Sequence, residues 1–181
     1  HNNLSMAVLI QEVVQPQYAF VLHTSNPVTG DSDEIYGELV FGLGETLVGN
    51  YPGRALSFTA RKGAGKGAIE GAPRTMGFPS KSAALLCPET LIFRSDSNGE
   101  DLEGYAGAGL YESVPMDKEE TVHADYSSDP LVWDAAFQSD LLARIAEAGV
   151  AIEAALDGVP QDIEGVVKDG EIYVVQTRPQ V

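Results

Sequence analysis

The sequence predicts an α/β fold of the α+β type, with mixed and antiparallel sheet, a C-terminal β-hairpin and one long packing helix. The hairpin is predicted because two runs rich in valine and isoleucine flank Asp169-Gly170, a strong signal for a tight turn between paired strands. The helix is predicted because apolar residues recur at helical spacing after Asp129-Pro130, a typical helix start. The members of that apolar stripe are Leu141, Leu142, Ile145, Gly149, Ile152 and Leu156.

Short strand-like runs account for much of the first half of the chain. Strands are predicted over 5–14, 18–24, 34–41, 54–61 and 90–94. A turn is predicted over 27–33 and a short helix over 42–48, which opens with two glycines. Residues 62–81 hold many glycines, prolines and basic residues, so they are predicted to form a mobile surface loop. The long helix is predicted to end at Asp157-Gly158.

The register of the C-terminal hairpin decides which side chains share a face. A two-residue loop would pair Lys168 with Glu171 and send Glu164 and Gln176 to opposite sides, since side chains alternate along a strand. A three-residue loop with a bulge would pair Lys168 with Ile172 and place Glu164 opposite Gln176. The sequence favours the three-residue loop, because it separates polar from apolar residues.

With that register, one face of the hairpin carries the polar side chains of Asp162, Glu164, Gln176 and Arg178. The other face is predicted to pack on a core through Ile163, Gly165, Val167, Tyr173, Val175 and Thr177. Carboxylate and amide oxygens on a rigid sheet suit Mg²⁺, which binds one or two carboxylates together with substrate phosphates. Arg178 is then placed to meet a phosphate oxygen. An ordinary edge hairpin with a solvated polar face is the alternative.

Composition restricts the class of partner. The 181 residues fit one domain or two small lobes. With 11 basic and 27 acidic residues the net charge is -16, which argues against nucleic acid and anionic membrane surfaces as partners. The single cysteine, Cys87, excludes an internal disulfide, and it is interpreted as a packing residue.

Several motifs together resemble one enzyme family. Asp162-Ile163-Glu164, followed by Gln176-Thr177-Arg178-Pro179, resembles the end of the ATP-grasp nucleotide-binding domain of the dikinases, which include phosphoenolpyruvate synthase, pyruvate phosphate dikinase and rifampin phosphotransferase. Residues 6–14 resemble that family's strand and adenine hinge, and 42–45 its glycine-rich motif. Within the family, 93–111 and 175–181 are most similar to the C-terminus of the plant and algal α-glucan water dikinases.

The resemblance implies ATP and Mg²⁺ as cofactors and assigns roles to particular residues. Glu164 and Gln176 are expected to bind the metal ion, and Asp162 and Arg178 to take part in catalysis. The residues expected to contact the nucleotide or its metal are Gln11, Glu12, Val13, Val14, Glu45, Arg94, Glu164, Gln176 and Arg178. A backbone acceptor at Glu12 and a donor at Val14 match the edge of adenine.

The resemblance also implies a reaction in several parts. The β-phosphate of ATP is expected to pass through a phosphohistidine on another domain to glucosyl units of starch in the chloroplast stroma, at the granule surface, while the γ-phosphate goes to water. Residues 1–181 are therefore predicted to be the ATP-grasp portion of a longer protein, without its first lobe and phosphohistidine domain, and inactive alone. His1, His23 and His123 lie outside any phosphohistidine motif, and His23 is interpreted as structural.

Two other functions remain open. One is another ATP-grasp chemistry, such as that of a phosphoenolpyruvate synthase or a carboxylate-amine ligase. The other is a non-catalytic module that binds nucleotide or glucan. Against glucan binding, the only tryptophan, Trp133, lies on the helix pattern and is predicted to pack in the core.

Overall fold

The computed structural model describes residues 6–49, 51–65, 67–97, 101–102, 105–106 and 113–180. Within these ranges the strands are β1 (Met6–Glu12), β2 (Tyr18–His23), β3 (Glu34–Phe41), β4 (Leu56–Lys62), β5 (Ile69–Gly77), β6 (Ala83–Leu86), β7 (Leu91–Ser97), β8 (Asp101–Leu102), β9 (Tyr105–Ala106), β10 (Ser113–Pro115), β11 (Glu120–His123), β12 (Gln161–Lys168) and β13 (Glu171–Pro179). The helices are α1 (Glu45–Val48), α2 (Pro130–Trp133) and α3 (Ala135–Ala155).

A six-stranded sheet in the order β13-β12-β2-β3-β4-β5 forms the centre of the fold. A smaller sheet has the order β1-β7-β10, and β6 pairs with β11 and β8 with β9. The α+β class, the long helix and the C-terminal hairpin are confirmed. The prediction of a mixed sheet is wrong for the described residues, where every strand pair is antiparallel. The connections from β2 to β3 and from β4 to β5 are shorter than the crossover of about a dozen residues that parallel neighbours need.

Helix α3 packs on one face of the six-stranded sheet and closes the main core. The helix contributes its predicted apolar stripe as far as Ile152, with Leu142 and Ile145 fully buried, whereas Leu156 follows the last residue of α3 and is 42 % exposed. Asp134 begins α3, because its side chain accepts hydrogen bonds from the amides of Ala136 and Phe137. The sheet side of this core includes Phe20, Leu22, Ile35, Leu39, Phe58, Ile163 and Val167.

The opposite face of the large sheet is covered by a smaller apolar cluster. Ala19, Val40, Ala55 and Val166 are buried there, with Val175 packed against them. A neighbouring cluster of Val13, Leu43, Leu85 and Cys87 joins the end of β1 to α1 and β6. Cys87 is buried, which agrees with a packing role. This second face is where the polar side of the hairpin lies.

The prediction of a surface loop over 62–81 is wrong, because β5 occupies most of its second half. Strand β5 pairs with β4 through a register that shifts twice, and it is the edge strand of the sheet. An edge strand tolerates Pro73 and a left-handed Gly71, whose φ is 71°, since one side of its backbone needs no ladder partner. Local composition therefore indicated a loop where sheet pairing imposes a strand.

The loop of the C-terminal hairpin also differs from the prediction. Lys168 pairs with Glu171, so the turn has two residues, and Asp169 and Gly170 both adopt left-handed conformations, with φ of 51° and 79°. This combination is typical of a type I′ turn. Glu164 nevertheless pairs with Gln176, because the ladder passes from Gly165 opposite Val174 directly to that pair. The extra residue lies in a bulge at Val175, not in the loop.

The bulge at Val175 changes which side chains of β13 lie on each face of the sheet. Tyr173 pairs with Val166, on the side away from α3, and Val175 packs on the cluster of that same side. The prediction that Tyr173 and Val175 share a face with Ile163 and Val167 is therefore wrong, since a shift of one residue exchanges the faces. Ile163 and Val167 do lie in the helix-side core as predicted.

Candidate functional site

A cleft of about 320 Å³ lies between the small sheet and the hairpin, with α1 at one end. Apolar residues such as Val13, Val166 and Val175 form much of its wall. Of the residues nominated from the sequence, the cleft brings together Gln11, Glu12, Val13, Val14, Glu45, Arg94 and Glu164. These residues come from β1 and the two positions after it, α1, β7 and β12, so the fold assembles the cleft from distant parts of the chain.

Three side chains from two sheets meet beside this cleft, which Arg94 and Glu164 line and Gln176 does not. Glu164 and Gln176 face each other across β12 and β13. The guanidinium of Arg94, on β7, donates through Nη2 to Oε1 of Gln176 and lies 3.8 Å from Oε2 of Glu164. The side chain of Glu164 is 41 % exposed, so its carboxylate is accessible. We call these three residues the Arg94 cluster.

Glu164 and Gln176 offer oxygen donors of the kind that Mg²⁺ prefers. One carboxylate and one amide oxygen on paired strands suit a cation that fills its remaining positions with water and phosphate oxygens. No group of three or more histidine, cysteine, aspartate or glutamate side chains with metal-binding geometry occurs among the described residues. The pair does not form a complete protein cage, and Oε1 of Gln176 already accepts from Arg94, so a metal ion held there jointly with a phosphate ligand requires that guanidinium to leave the amide oxygen.

Asp162 and Arg178 form a second polar group, one row further along the hairpin. Asp162 pairs with Arg178 on one side and with His23 on the other. Its Oδ1 lies 2.5 Å from Nδ1 of His23, and its Oδ2 lies 3.6 Å from Nε of Arg178. Neither Asp162 nor Arg178 lines the cleft. The predicted catalytic pair is thus beside the Arg94 cluster, on the same face of the sheet.

His23 is the residue of this group that the sequence did not indicate. It lies on β2, two positions after Val21, which pairs with Glu164. The hairpin pattern shows only that β12 and β13 pair with each other. The contact between His23 and Asp162 depends on β2 pairing with β12, which nothing local in the sequence reveals.

The end of β1 is fixed against both sheets. The amide of Val13 donates to the carbonyl of Thr90 at 2.7 Å, and Nε2 of Gln11 donates to the carbonyl of Val175 at 3.3 Å. Because successive peptide groups in a strand alternate in direction, the backbone of Glu12 points away from β7. The predicted adenine hinge is therefore a rigid segment at the wall of the cleft.

Acidic residues gather at the α1 end of the cleft. Glu45 is the first residue of α1 and lines the cleft. The pKa of Glu119 is raised, first by burial and then by repulsion from Glu45. Burial also raises the pKa of the Cys87 thiol, with smaller contributions from Glu119, Asp117 and Glu45. A thiol held protonated in this way is not an activated nucleophile.

Trp133 is not in the core, contrary to the prediction from the helix pattern. Its side chain is 71 % exposed, whereas Leu131 in the same short helix is fully buried. Helix α2 has four residues, too few to bury a whole stripe, so one apolar residue anchors it and the indole lies outside.

Part of the segment that follows Arg94 lies outside the described residues. These positions are 98–100, 103–104 and 107–112, within the glycine-rich motif that contributed to the family resemblance. Among the helices of the described chain, none combines the length and apolar character that crossing a membrane requires.

Comparison with known proteins confirms the predicted resemblance. Residues 1–55 match the pyruvate phosphate dikinase AMP/ATP-binding domain. Over all 181 residues the chain is 62 % identical to the chloroplastic α-glucan water dikinase of Solanum tuberosum, and it covers 12 % of that protein. It is 59 % identical to α-glucan water dikinase 2 of Arabidopsis thaliana, of which it covers 14 %. A rifampicin phosphotransferase of Streptomyces sviceus is 29 % identical over 96 % of the chain and 16 % of its own length. The chain thus spans 12 to 16 % of the length of these relatives.

Proposed function

We propose that this chain is the ATP- and Mg²⁺-binding, ATP-grasp portion of an α-glucan water dikinase. The observation that carries the proposal is the Arg94 cluster beside a cleft that the end of β1 and the residues after it also line. The similarity over all 181 residues to α-glucan water dikinases supports it. The match of residues 1–55 to a nucleotide-binding domain supports the assignment of the hinge.

The nucleotide base is assigned to the β1 end of the cleft. The Glu12 carbonyl would accept from the N6 amine of adenine and the Val14 amide would donate to its N1, while Val13 between them in the chain is buried. Apolar wall residues such as Ile92 and Val175 would exclude water from the base. Gln11 positions this segment through its hydrogen bond to the Val175 carbonyl.

The phosphates are assigned to the Arg94 cluster. Glu164 and Gln176 would hold Mg²⁺, which when bound neutralises charge on the phosphate oxygens. Arg94 is the one cationic residue among the described residues that line the cleft, so it is assigned to the phosphate oxygens as well. Preorganised charges of this kind stabilise phosphoryl transfer without forming covalent bonds to the substrate.

Asp162 and Arg178 are proposed to act from the neighbouring row. Asp162 is held between His23 and Arg178, so it fixes the guanidinium of Arg178 close to the strand pair that carries Glu164 and Gln176. Arg178 would then offset charge on the phosphoryl group as it moves. His23 is a positioning residue in this arrangement, because its ring nitrogen holds Asp162.

The complete reaction is proposed for the full-length protein. The β-phosphate would pass to a histidine on a separate domain and then to a glucosyl hydroxyl of starch, and the γ-phosphate would go to water. The relatives are about seven to eight times longer than this chain, which leaves room for a first lobe and a phosphohistidine domain. Three names among the relatives include "chloroplastic", which supports the chloroplast as the location.

Calorimetric titration of the chain with ATP, with Mg²⁺ or with a chelator, tests the proposal. We expect weak ATP binding that requires Mg²⁺, because the first lobe would supply further contacts. Glu164→Gln should remove most of the Mg²⁺ dependence of ATP binding, since the glutamine side chain keeps the shape of glutamate but carries no charge. Glu171→Gln is the matched control, because Glu171 is exposed at the turn of the same hairpin.

Equal Mg²⁺ dependence in the wild type and Glu164→Gln would refute the assignment of the metal ion. In the full-length enzyme, Glu164→Ala should abolish phosphohistidine formation without unfolding the protein. Wild-type phosphohistidine levels in that variant would contradict the catalytic proposal. Products also separate the alternatives, because a carboxylate-amine ligase of this fold would release ADP where a dikinase releases AMP and orthophosphate.

A further inference from the structure

We propose that Trp133 is a stacking platform for an α-glucan chain, at a site separate from the nucleotide cleft. This inference rests on the proposed function for the class of ligand, and on the structure for the site. Trp133 is the only tryptophan in the chain and is 71 % exposed. A large aromatic side chain with this exposure presents an apolar face that a sugar ring can cover.

The indole is mounted on a rigid segment. Its Nε1 donates to the carbonyl of Tyr126 at 3.1 Å, which fixes the orientation of the ring. Asp129 caps α2 by accepting from the amide of Leu131, and it also accepts from the hydroxyl of Tyr18 at 2.6 Å. Leu131 is fully buried, and its carbonyl accepts from Nε2 of Gln138. A platform that is ordered before binding loses little entropy when a ligand covers it.

The surroundings of Trp133 disfavour an anionic ligand and offer oxygen atoms to a ligand rich in hydroxyl groups. Between Lys118 and Arg144 the sequence contains no lysine or arginine, so an anionic ligand would find no cation on this stretch. Ser127, Ser128 and Asp134 are exposed near Trp133 in sequence, and their oxygens are of the kind that pairs with sugar hydroxyls. A glucan has both requirements, apolar ring faces and many hydroxyls.

The platform and the cleft lie on different faces of the large sheet. Leu131, which anchors α2, belongs to the core between the sheet and α3, together with Ile163 and Val167. The cleft is lined by Glu164 and Val166, whose side chains alternate with those two along β12. Glucan bound at Trp133 would therefore hold the protein on its substrate without covering the nucleotide.

Fluorescence titration with maltoheptaose tests this site directly, since the only tryptophan reports it. We expect a saturable change in Trp133 emission, and an equal change with a β-linked glucan of the same length would overturn the assignment to an α-glucan. Trp133→Ala should sediment with starch granules about tenfold less tightly, the loss typical when a central aromatic contact is truncated. Trp133→Phe should restore part of the binding, because it restores an aromatic face.

Phe78→Ala is the matched control, since Phe78 is also exposed, at 60 %, and lies outside the platform. Unchanged emission on addition of maltoheptaose, or wild-type granule binding by Trp133→Ala, would overturn the proposal. Self-association in sedimentation velocity that Trp133→Ala abolishes would also overturn it, by showing that the indole contacts another protein. ATP titration of the same variants keeps the two proposals distinguishable, because Trp133→Ala should bind ATP as the wild type does.

Discussion

Gly165 offers the most direct test of how the sheet positions the proposed metal ligands. It follows Glu164 on β12 and pairs with Phe20 on β2. A Cβ at this position would lie 2.2 Å from Cζ of Phe20, and 2.7 and 2.8 Å from its two Cε atoms. The ring cannot move into solvent, because Phe20 is 2 % exposed and belongs to the main core. Gly165→Ala must therefore displace the ring or the strand.

Overpacking of this kind costs about 1–3 kcal/mol. Alanine also lowers the conformational entropy of the unfolded chain, which stabilises the folded variant by about 0.4–1 kcal/mol. The net destabilisation is therefore about 1–2 kcal/mol. For a chain of this size that loss lowers Tm by about 2–8 °C. Thermal unfolding followed by circular dichroism, with urea unfolding for the free energy, measures the effect.

Gly44→Ala is the matched control, because its Cβ would lie 3.8 Å from the Cβ of Ala19, an ordinary contact. Phe20→Leu in the Gly165→Ala background should recover part of the loss, since it removes the ring that the new methyl group meets. A Gly165→Ala variant as stable as the wild type would refute the argument that this close approach holds β12 in place.

Two further predictions concern polar groups at the periphery of the core. Lys62→Ala should destabilise the fold by about 1–3 kcal/mol in urea unfolding, because it leaves the carboxylate of Glu153 without the ammonium group that lies 2.7 Å away, and the Glu153 side chain is only 15 % exposed. The double variant Lys62→Met, Glu153→Leu should recover most of the lost stability. An equal loss in the single and double variants would contradict this prediction. Burial and then the hydrogen bond to Glu38 raise the pKa of Tyr36 to about 12 from 10.0, so its contribution to stability is complete below pH 10.0 and is lost as the pH rises through about 12. Stability measured over that range should fall less steeply in Tyr36→Phe, and identical slopes would count against the shift.

The sequence predicted the elements that depend on local signals. The long helix, the strand over 34–41 and the Asp169-Gly170 turn all follow from spacing, capping and turn chemistry within a few residues. The pairing of Glu164 with Gln176 was predicted with the wrong loop, since the compensating residue is at Val175. A bulge leaves no clear local signal, because any residue of a strand can be skipped.

Features that depend on tertiary pairing could not be predicted. Strand β5 forms on the edge of β4 despite its glycine and proline content. His23 joins the hairpin only because β2 lies beside β12. Trp133 matches a helical stripe in sequence, but the chain breaks the helix at Asp134 and begins α3 there. For β5 and His23 a contact between distant segments outweighed the local pattern, whereas at Trp133 the cause is the local cap at Asp134.

The bulge at Val175 has a consequence for how insertions and deletions would act on this protein. Deleting Val175 would straighten the ladder while leaving Gln176 across from Glu164, because those two residues already face each other. The loss would instead fall on Gln11, whose amide donates to the Val175 carbonyl. The extra residue of the bulge thus holds a strand more than 160 positions earlier in the chain through one hydrogen bond. Shortening the hairpin would therefore loosen the proposed adenine-binding segment before it disturbed the proposed metal ligands.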